Sequence, residues 1–258
     1  MSIITLLSDF GARDGFVGAL KGVILSLNPH VHIIDIAHEI APGDINAGAF
    51  VLASAYSCFP PDTIHVAVID PGVGTTRKPL AVRANSHYFV APDNGILKWI
   101  LSAHPDAFVM ELTEPQFFKT PLSNTFHGRD LFAPVAAHLS LGVPIARMGK
   151  PCTTFEHGVI PVLRLEGKRI SGEIIYIDRF GNLVSNIPAG NLRDKNITGI
   201  VLPRHTIARL SSNYRNNDNG PVALIGSHGF LEIALDGQNA NEILHYGIGA
   251  AIDIYFTE

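Results

Sequence analysis

Apolar positions in the first half of the chain alternate between two rhythms. Residues 3–7 (IITLL), 31–36 (VHIIDI) and 64–69 (IHVAVI) are short apolar runs, rich in β-branched residues, that stop at polar or turn residues. Such runs predict buried strands. Between them, Phe16, Leu20, Val23, Ile24 and Leu27 recur at helical spacing, as do Ile45, Ala49, Leu52, Ala53 and Tyr56. The spacing predicts amphipathic helices over 14–27 and 44–56. Asp14 is placed for an N-terminal cap or first-turn acid, and Asn28-Pro29 and Pro60-Pro61 supply the stops. The order strand, helix, strand, helix, strand predicts a mainly parallel sheet covered by helices.

Further along, 80–83 and 87–90 read as strands joined through the short link Ala84-Asn85-Ser86, as in a hairpin. A helix over 96–102, a strand over 108–112 and a helix over 131–141 follow, with an irregular stretch at 113–129. Near Met148 to Pro161 the helical rhythm stops. Short strands are then expected at 162–165, 169–178, 183–187, 199–202, 222–225, 230–234 and 250–256, separated by turns. That spacing predicts a small β-sandwich or barrel. The expected organisation is an α/β domain over 1–158 and a smaller all-β domain over 159–258, with the polar tract 211–219 as an exposed loop.

Composition narrows the function classes. Of 258 residues, 47% are hydrophobic and 16% charged, as in a well-packed globular chain. The net charge is −4 and there is no basic run, which argues against a nucleic-acid surface. Every apolar stretch is interrupted too early for a transmembrane helix, and no membrane partner is expected. The N-terminus lacks a basic leader and reads as the first strand. Cys58 and Cys152 form no metal or redox spacing, so reduced thiols and a cytoplasmic location are the expectation. The 12 histidines include no regular metal-ligand spacing.

Chemistry concentrates in 66–79, VAVIDPGVGTTRKP. Asp70 stands at the C-terminal end of a strand, where open α/β sheets place ligands. Pro71, Gly72 and Gly74 make a tight turn, and Arg77 closes it. Asp9 ends the first strand in the same way, so both carboxylates are expected in one crevice. His127 precedes a helix in 124–130. Each residue alone is equally well a cap, a turn former or a surface ion pair. No dinucleotide fingerprint, phosphate loop or nucleophile elbow is present. In the second half, IDRFGN (177–182) and IGSHGF (225–230) are strand ends rich in short polar groups, suited either to ordinary turns or to a nucleoside and an amino-acid zwitterion.

Six motifs in order resemble the S-adenosyl-L-methionine (SAM) hydroxide adenosyltransferase family, relatives of the bacterial fluorinase and chlorinase. They are SDFG (8–11) with Asp14, IDPGVGTTR (69–77), APDNG (91–95), TFHGRD (125–130), DRFGN (178–182) and GSHGFLEIA (226–234). The resemblance implies a β-barrel as second domain and hydrolysis of SAM to adenosine and L-methionine without a metal or cofactor. It also implies a homotrimer with SAM between subunits. It makes Asp70, Arg77 and His127 the hydrolytic trio, with an Asp–His pair accepting the proton of water. Asp9 would hold the ribose hydroxyls. Asp14, Asp178, Ser227 and His228 would hold the methionine part, Asn182 and the segment after Glu232 would face adenine, and Phe126 joins the binding set. Halogenating relatives carry Tyr at the positions of Asp70 and His127 and insert a loop where this chain has only Ala84-Asn85-Ser86, which favours water over halide. The other readings are a halogenase of the same fold, a non-catalytic adenosine- or SAM-binding protein, and, least supported, a metal-dependent hydrolase using Asp9, Asp70 and His127.

Overall fold

A computed structural model describes residues 2–215 and 220–257. The chain separates into two units, Met1–Ile160 and Pro161–Glu258. In the first unit the elements run β1 (Ile3–Ser8), α1 (Phe16–Leu27), β2 (His32–Ala37), α2 (Ile45–Ala55), β3 (Ile64–Val68), β4 (Pro79–Ala84), β5 (His87–Pro92), α3 (Lys98–Ala103), β6 (Phe108–Leu112), α4 (Ala133–Ser140) and β7 (Gly149–Pro151).

The sheet order is β2-β1-β3-β5-β4-β6-β7. Strands β2, β1, β3 and β5 are mutually parallel, whereas β4, β6 and β7 join antiparallel. The sheet is therefore mixed, not mainly parallel as expected from the element order. The cause is local. Only Asn85 and Ser86 separate β4 from β5, and both take left-handed backbone (φ 46° and 62°). A two-residue turn of this kind reverses the chain, while a parallel return needs a crossover of a dozen residues or more.

Neighbouring residues of the central strands bury opposite faces. Ile4, Leu6, Val66 and Val68 pack with Leu20 and Ile24 of α1 and Val135 of α4. Leu7, Ala67 and Ile69 pack with Leu52 of α2 and Ile100 of α3. Burial on both faces explains why these strands read as unbroken apolar runs. Leu20 and Ile24 are almost completely buried, each contributing about 1.5–3 kcal/mol. Helix α2 is capped by Asp44, whose side chain accepts from the Ala47 amide at 2.9 Å. Helix α1 differs from expectation. Its cap is Gly15 with no side-chain cap bond, and Asp14 lies exposed outside the first turn. Helix α4 is preceded by a wider helical turn over Gly128–Phe132.

The second unit contains β8 (Arg164–Glu166), β9 (Arg169–Ile177), β10 (Leu183–Pro188), β11 (Asn196–Leu202), β12 (His205–Ile207), β13 (Val222–Ile225), β14 (Phe230–Ala234), α5 (Ala240–Leu244) and β15 (Ala251–Thr257). Its strands pair antiparallel in the order β12-β11-β15-β9-β10-β14-β13, with β8 on β9. A single bridge between Leu210 and Ala223 brings the segment after β12 to β13, so the sheet nearly closes on itself. Its core includes Ile170, Ile174, Leu183, Ile233 and Ile254. Within the polar tract expected as a loop, 216–219 lie outside the described residues. Among the described residues no helix is long and apolar enough to cross a membrane.

Candidate functional site

Strands β1 and β3 are parallel neighbours with Ser8 opposite Val68. Asp9 and Asp70 therefore leave the sheet at the same C-terminal edge. They line one small cavity of about 130 Å³, together with Phe10, Gly43, Pro71 and Phe126. Asp9 is oriented by the Gly43 amide, which donates to its Oδ2 at 2.8 Å.

The turn after Asp70 folds tightly back on itself. The Val73 amide donates to the Asp70 carbonyl, and the Thr75 amide and hydroxyl both donate to the Gly72 carbonyl, the hydroxyl at 2.7 Å. Gly74 has φ +78°, and a Cβ there would meet the Asn124 carbonyl oxygen at 2.3 Å. No other residue fits both the backbone and that approach. The fold-back returns Arg77 to Asp70. Its Nε donates to both carboxylate oxygens (2.9 and 3.0 Å), and its Nη2 to Oδ2 at 2.5 Å. The side chains are only 5% (Asp70) and 9% (Arg77) exposed, and the guanidinium carbon lies 5.3 Å from the Phe132 ring centre.

Nη2 of Arg77 also lies 2.6 Å from His127 Nδ1. Arginine has only donors to offer, so Nδ1 must accept, and the proton of a neutral ring sits on Nε2. Burial, then the Arg77 charge, pushes the His127 pKa below its ordinary value. The three groups form the chain Asp70–Arg77–His127 with arginine in the middle. The segment carrying His127 is anchored by Asp130, which is fully buried. Its carboxylate accepts from Arg129 (2.6 and 2.8 Å) and from the Ser123 amide (3.0 Å). The Arg129 hydrogen bond chiefly holds the Asp130 pKa low. Phe126 packs edge-on against Phe10 and Phe16, with ring centres 5.8 and 5.3 Å away.

In the second unit a cavity of about 570 Å³ is lined by Asp178, Asn182, Ser227, His228 and Glu232. Asp178 is largely occupied by its own turn. It accepts from the Phe180 and Asn182 amides (2.9 and 2.8 Å) and from the Asn182 side chain (2.9 Å). Glu232, on β14, is 2% exposed. Its Oε2 lies 3.4 Å from His228 Nε2, and its Oε1 has no hydrogen-bond partner among the described residues. Tyr214 borders the same cavity. Burial, then its hydrogen bond and charge interaction with Glu232, pushes its phenol pKa up to about 12.

Of the sequence-predicted residues, Asp9, Asp70 and Phe126 share the first cavity, with Arg77 and His127 bonded behind it. Asp178, Asn182, Ser227, His228 and Glu232 share the second. Asp14 lines neither. Sequence reasoning passed over Tyr176 and Tyr214 as cavity residues. The available signal was a lone tyrosine in an otherwise polar tract. It also gave Asn94 no role, although this side chain donates to the Ile69 carbonyl at 2.7 Å. Among the described residues no group of three or more His, Cys, Asp or Glu side chains is placed to hold a metal ion.

Comparison with known proteins adds a family. The model for the SAM hydroxide adenosyltransferase N-terminal domain matches residues 4–149, and that for the C-terminal domain matches 172–253. A Salinispora tropica protein named (R)-S-adenosyl-L-methionine hydrolase is 36% identical over 247 residues, covering 93% of each chain. A fluorinase from Nocardia brasiliensis is more distant, 26% identical over 98% of this chain and 95% of its own. The crystal structure of an uncharacterized conserved protein from Thermotoga maritima superposes with a TM-score of 0.90. It is 34% identical and covers 98% of this chain and 99% of that one.

Proposed function

The chain belongs to the SAM hydroxide adenosyltransferase family, and from that premise we propose that it hydrolyses SAM to adenosine and L-methionine. The observation that carries this reading is the Asp70–Arg77–His127 chain, whose carboxylate end lines the cavity beside Asp9.

The leaving group needs little help, because SAM is a sulfonium. Water oxygen attacks the ribose C5′, the C5′–S pair returns to sulfur, and methionine departs as a neutral thioether. One proton of the attacking water must be lost, and it becomes strongly acidic as the C–O bond forms. A carboxylate is then a sufficient acceptor, a contribution of about 10²–10⁴-fold. Asp70 is placed for it. Its Oδ1 takes one bond from Arg77 and keeps a lone pair, whereas Oδ2 takes two. His127 lies behind the cavity and accepts from Arg77 through Nδ1, so that Arg77 joins it to Asp70. This revises the Asp–His pair expected from the resemblance, since the arginine stands between them. Holding water in line with C5′–S supplies much of the remaining rate. With a sulfonium leaving group and a carboxylate proton acceptor the reaction needs no Lewis acid, so chelator treatment is expected to leave turnover unchanged.

The balance of charge also separates water from halide. Asp70 borders the cavity, while Arg77 does not. An anionic nucleophile would meet the carboxylate first, a repulsion that the Arg77 guanidinium behind it offsets only in part. Asp9 and Phe126 are assigned to the ribose side of the ligand. Asp14, Asp178, Asn182, Ser227, His228 and Glu232 are assigned to its methionine and adenine parts. The reading includes a homotrimer, to be read by light scattering, and a cytoplasmic location. The relative's name specifies the (R) configuration at sulfur, so both sulfur epimers belong in the assay. Incubation with each, followed by chromatography, should yield adenosine and methionine in equal amounts. No adenosine from either epimer sinks the proposal, and chloride-dependent formation of a halogenated nucleoside replaces it with the halogenase.

A further inference from the structure

The turn 70–77 is held at both stems by two consecutive residues of a different strand end. Just beyond β5, the Asn94 side chain donates through Nδ2 to the Ile69 carbonyl at 2.7 Å. The preceding Asp93 amide donates to the Lys78 carbonyl at 2.8 Å. Ile69 and Lys78 flank the turn on either side. Asn94 is itself fixed, because its Oδ1 accepts from the Ile96 amide at 3.2 Å. The outer side is strapped as well. Asp93 Oδ1 accepts from the Glu156 amide at 2.7 Å, and Lys78 Nζ donates to the Thr154 carbonyl at 2.5 Å.

We propose that Asn94 is a positioning residue for the reaction, stapling the stem of the turn so that the Asp70 carboxylate stays aimed into the cavity. The inference rests on the hydrolytic reading above. Its physical basis is the rigid peptide unit. The Ile69 carbonyl shares one plane with the Asp70 nitrogen and Cα. Fixing that oxygen fixes the Asp70 nitrogen and Cα, leaving its φ and its side-chain rotamer, which the Arg77 fork then selects. Strand β3 ends at Val68, so the ladder no longer holds the Ile69 carbonyl, and a side-chain donor takes over. Asp70 lies one residue past that point, where fraying would be felt most. A misplacement of about 1 Å can cost about 10²-fold in rate.

The test compares Asn94→Ala and Asn94→Asp with the native enzyme. Asn94→Asp keeps the size and the acceptor for the Ile96 amide but replaces the donor with a carboxylate oxygen that repels the Ile69 carbonyl, whereas Asn94→Ala removes the donor without adding charge, so the two variants, each with its melting temperature measured, separate positioning from folding. Both are expected to lower kcat by about 10²-fold while KM and adenosine affinity change by less than about threefold. Unchanged kcat overturns the proposal. So does a parallel fall in kcat, adenosine affinity and melting temperature, which marks a residue that only supports the fold. Asp70→Ala is the control for the underlying reading: if it turns over like the native enzyme, the trio assignment fails, whatever Asn94 does. Should the native enzyme form no adenosine, the staple is judged by the 15N signals of the His127 ring. Asn94→Asp must shift them if the turn has moved, and unshifted signals overturn the proposal.

Discussion

Nη2 of Arg77 sits 2.6 Å from Nδ1 of His127, and this contact sets which ring nitrogen of the histidine bears the proton. Protonating the ring would place an N–H against a guanidinium that can only donate. Burial and the Arg77 charge both keep the ring neutral, with the pKa below its ordinary value near 6.5. The expected pH dependence follows. Turnover stays level as pH falls from neutral through the ordinary histidine range and declines only at more acidic pH, where His127 gains its second proton. A pH–rate profile that breaks at or above pH ~6.5 contradicts this arrangement.

Arg77→Lys tests the shape of the bridge. A lysine retains the charge but cannot donate in parallel to both Asp70 oxygens and also reach His127. The substitution is expected to cost about 10²-fold or more in kcat, with adenosine affinity nearly unchanged. A lysine variant close to native activity would mean that only the charge matters.

Asp70→Asn preserves volume and removes the proton acceptor. It should lower kcat by about 10²–10⁴-fold and leave adenosine binding by calorimetry intact. Loss of adenosine binding to the same degree as turnover would assign Asp70 to ligand binding instead.

Glu232 keeps a buried carboxylate oxygen without a partner beside His228. Such a group burdens the unliganded protein by about 1–3 kcal/mol. Glu232→Gln is therefore expected to leave the melting temperature unchanged or raised while weakening SAM affinity about tenfold, 1.4 kcal/mol. A destabilised variant with native affinity would show that the carboxylate serves the fold.

A different histidine pair governs acid stability. His65 Nε2 lies 3.2 Å from His87 Nδ1, and Thr5 Oγ1 lies 2.7 Å from His65 Nδ1. Both rings are buried. Burial, then the His87 charge, holds the His65 pKa down to about 3, and burial chiefly lowers that of His87. The unfolded chain binds protons here below pH ~6.5, while the folded chain does not. Stability from this pair is thus complete above that pH and is lost as pH falls below ~6.5, His65 giving up about 1.4 kcal/mol per unit toward 3. Urea unfolding at pH 7 and pH 5 measures it. His65→Gln should flatten the acid limb by about one proton, and an unaltered limb refutes the assignment.

Elements whose cause is local could be read directly from the order of residues. β1, β3 and their terminal carboxylates were legible because a strand buried on both faces must be continuously apolar, and its end is marked by the first charged residue. The hairpin at Asn85 and Ser86 was equally legible, yet its consequence for the sheet was not. Whether β4 lies inside or outside β5 depends on which neighbour completes its hydrogen bonds, and β6 and β7 lie far along the chain. The short elements β7, β12 and α5 carry too few residues to show a period. The six motifs named the trio by resemblance, but its order, with arginine between Asp70 and His127, depended on the turn folding back around Gly74. Asp14 shows the converse, a residue well spaced for a cap that Gly15 supplanted. Tertiary structure alone decided the unpartnered oxygen of Glu232, the tyrosine beside it, and Asn94 at the stem of the turn. Periodicity records which side of an element is buried. What a buried polar atom touches is set by chain segments that meet only when the fold is complete.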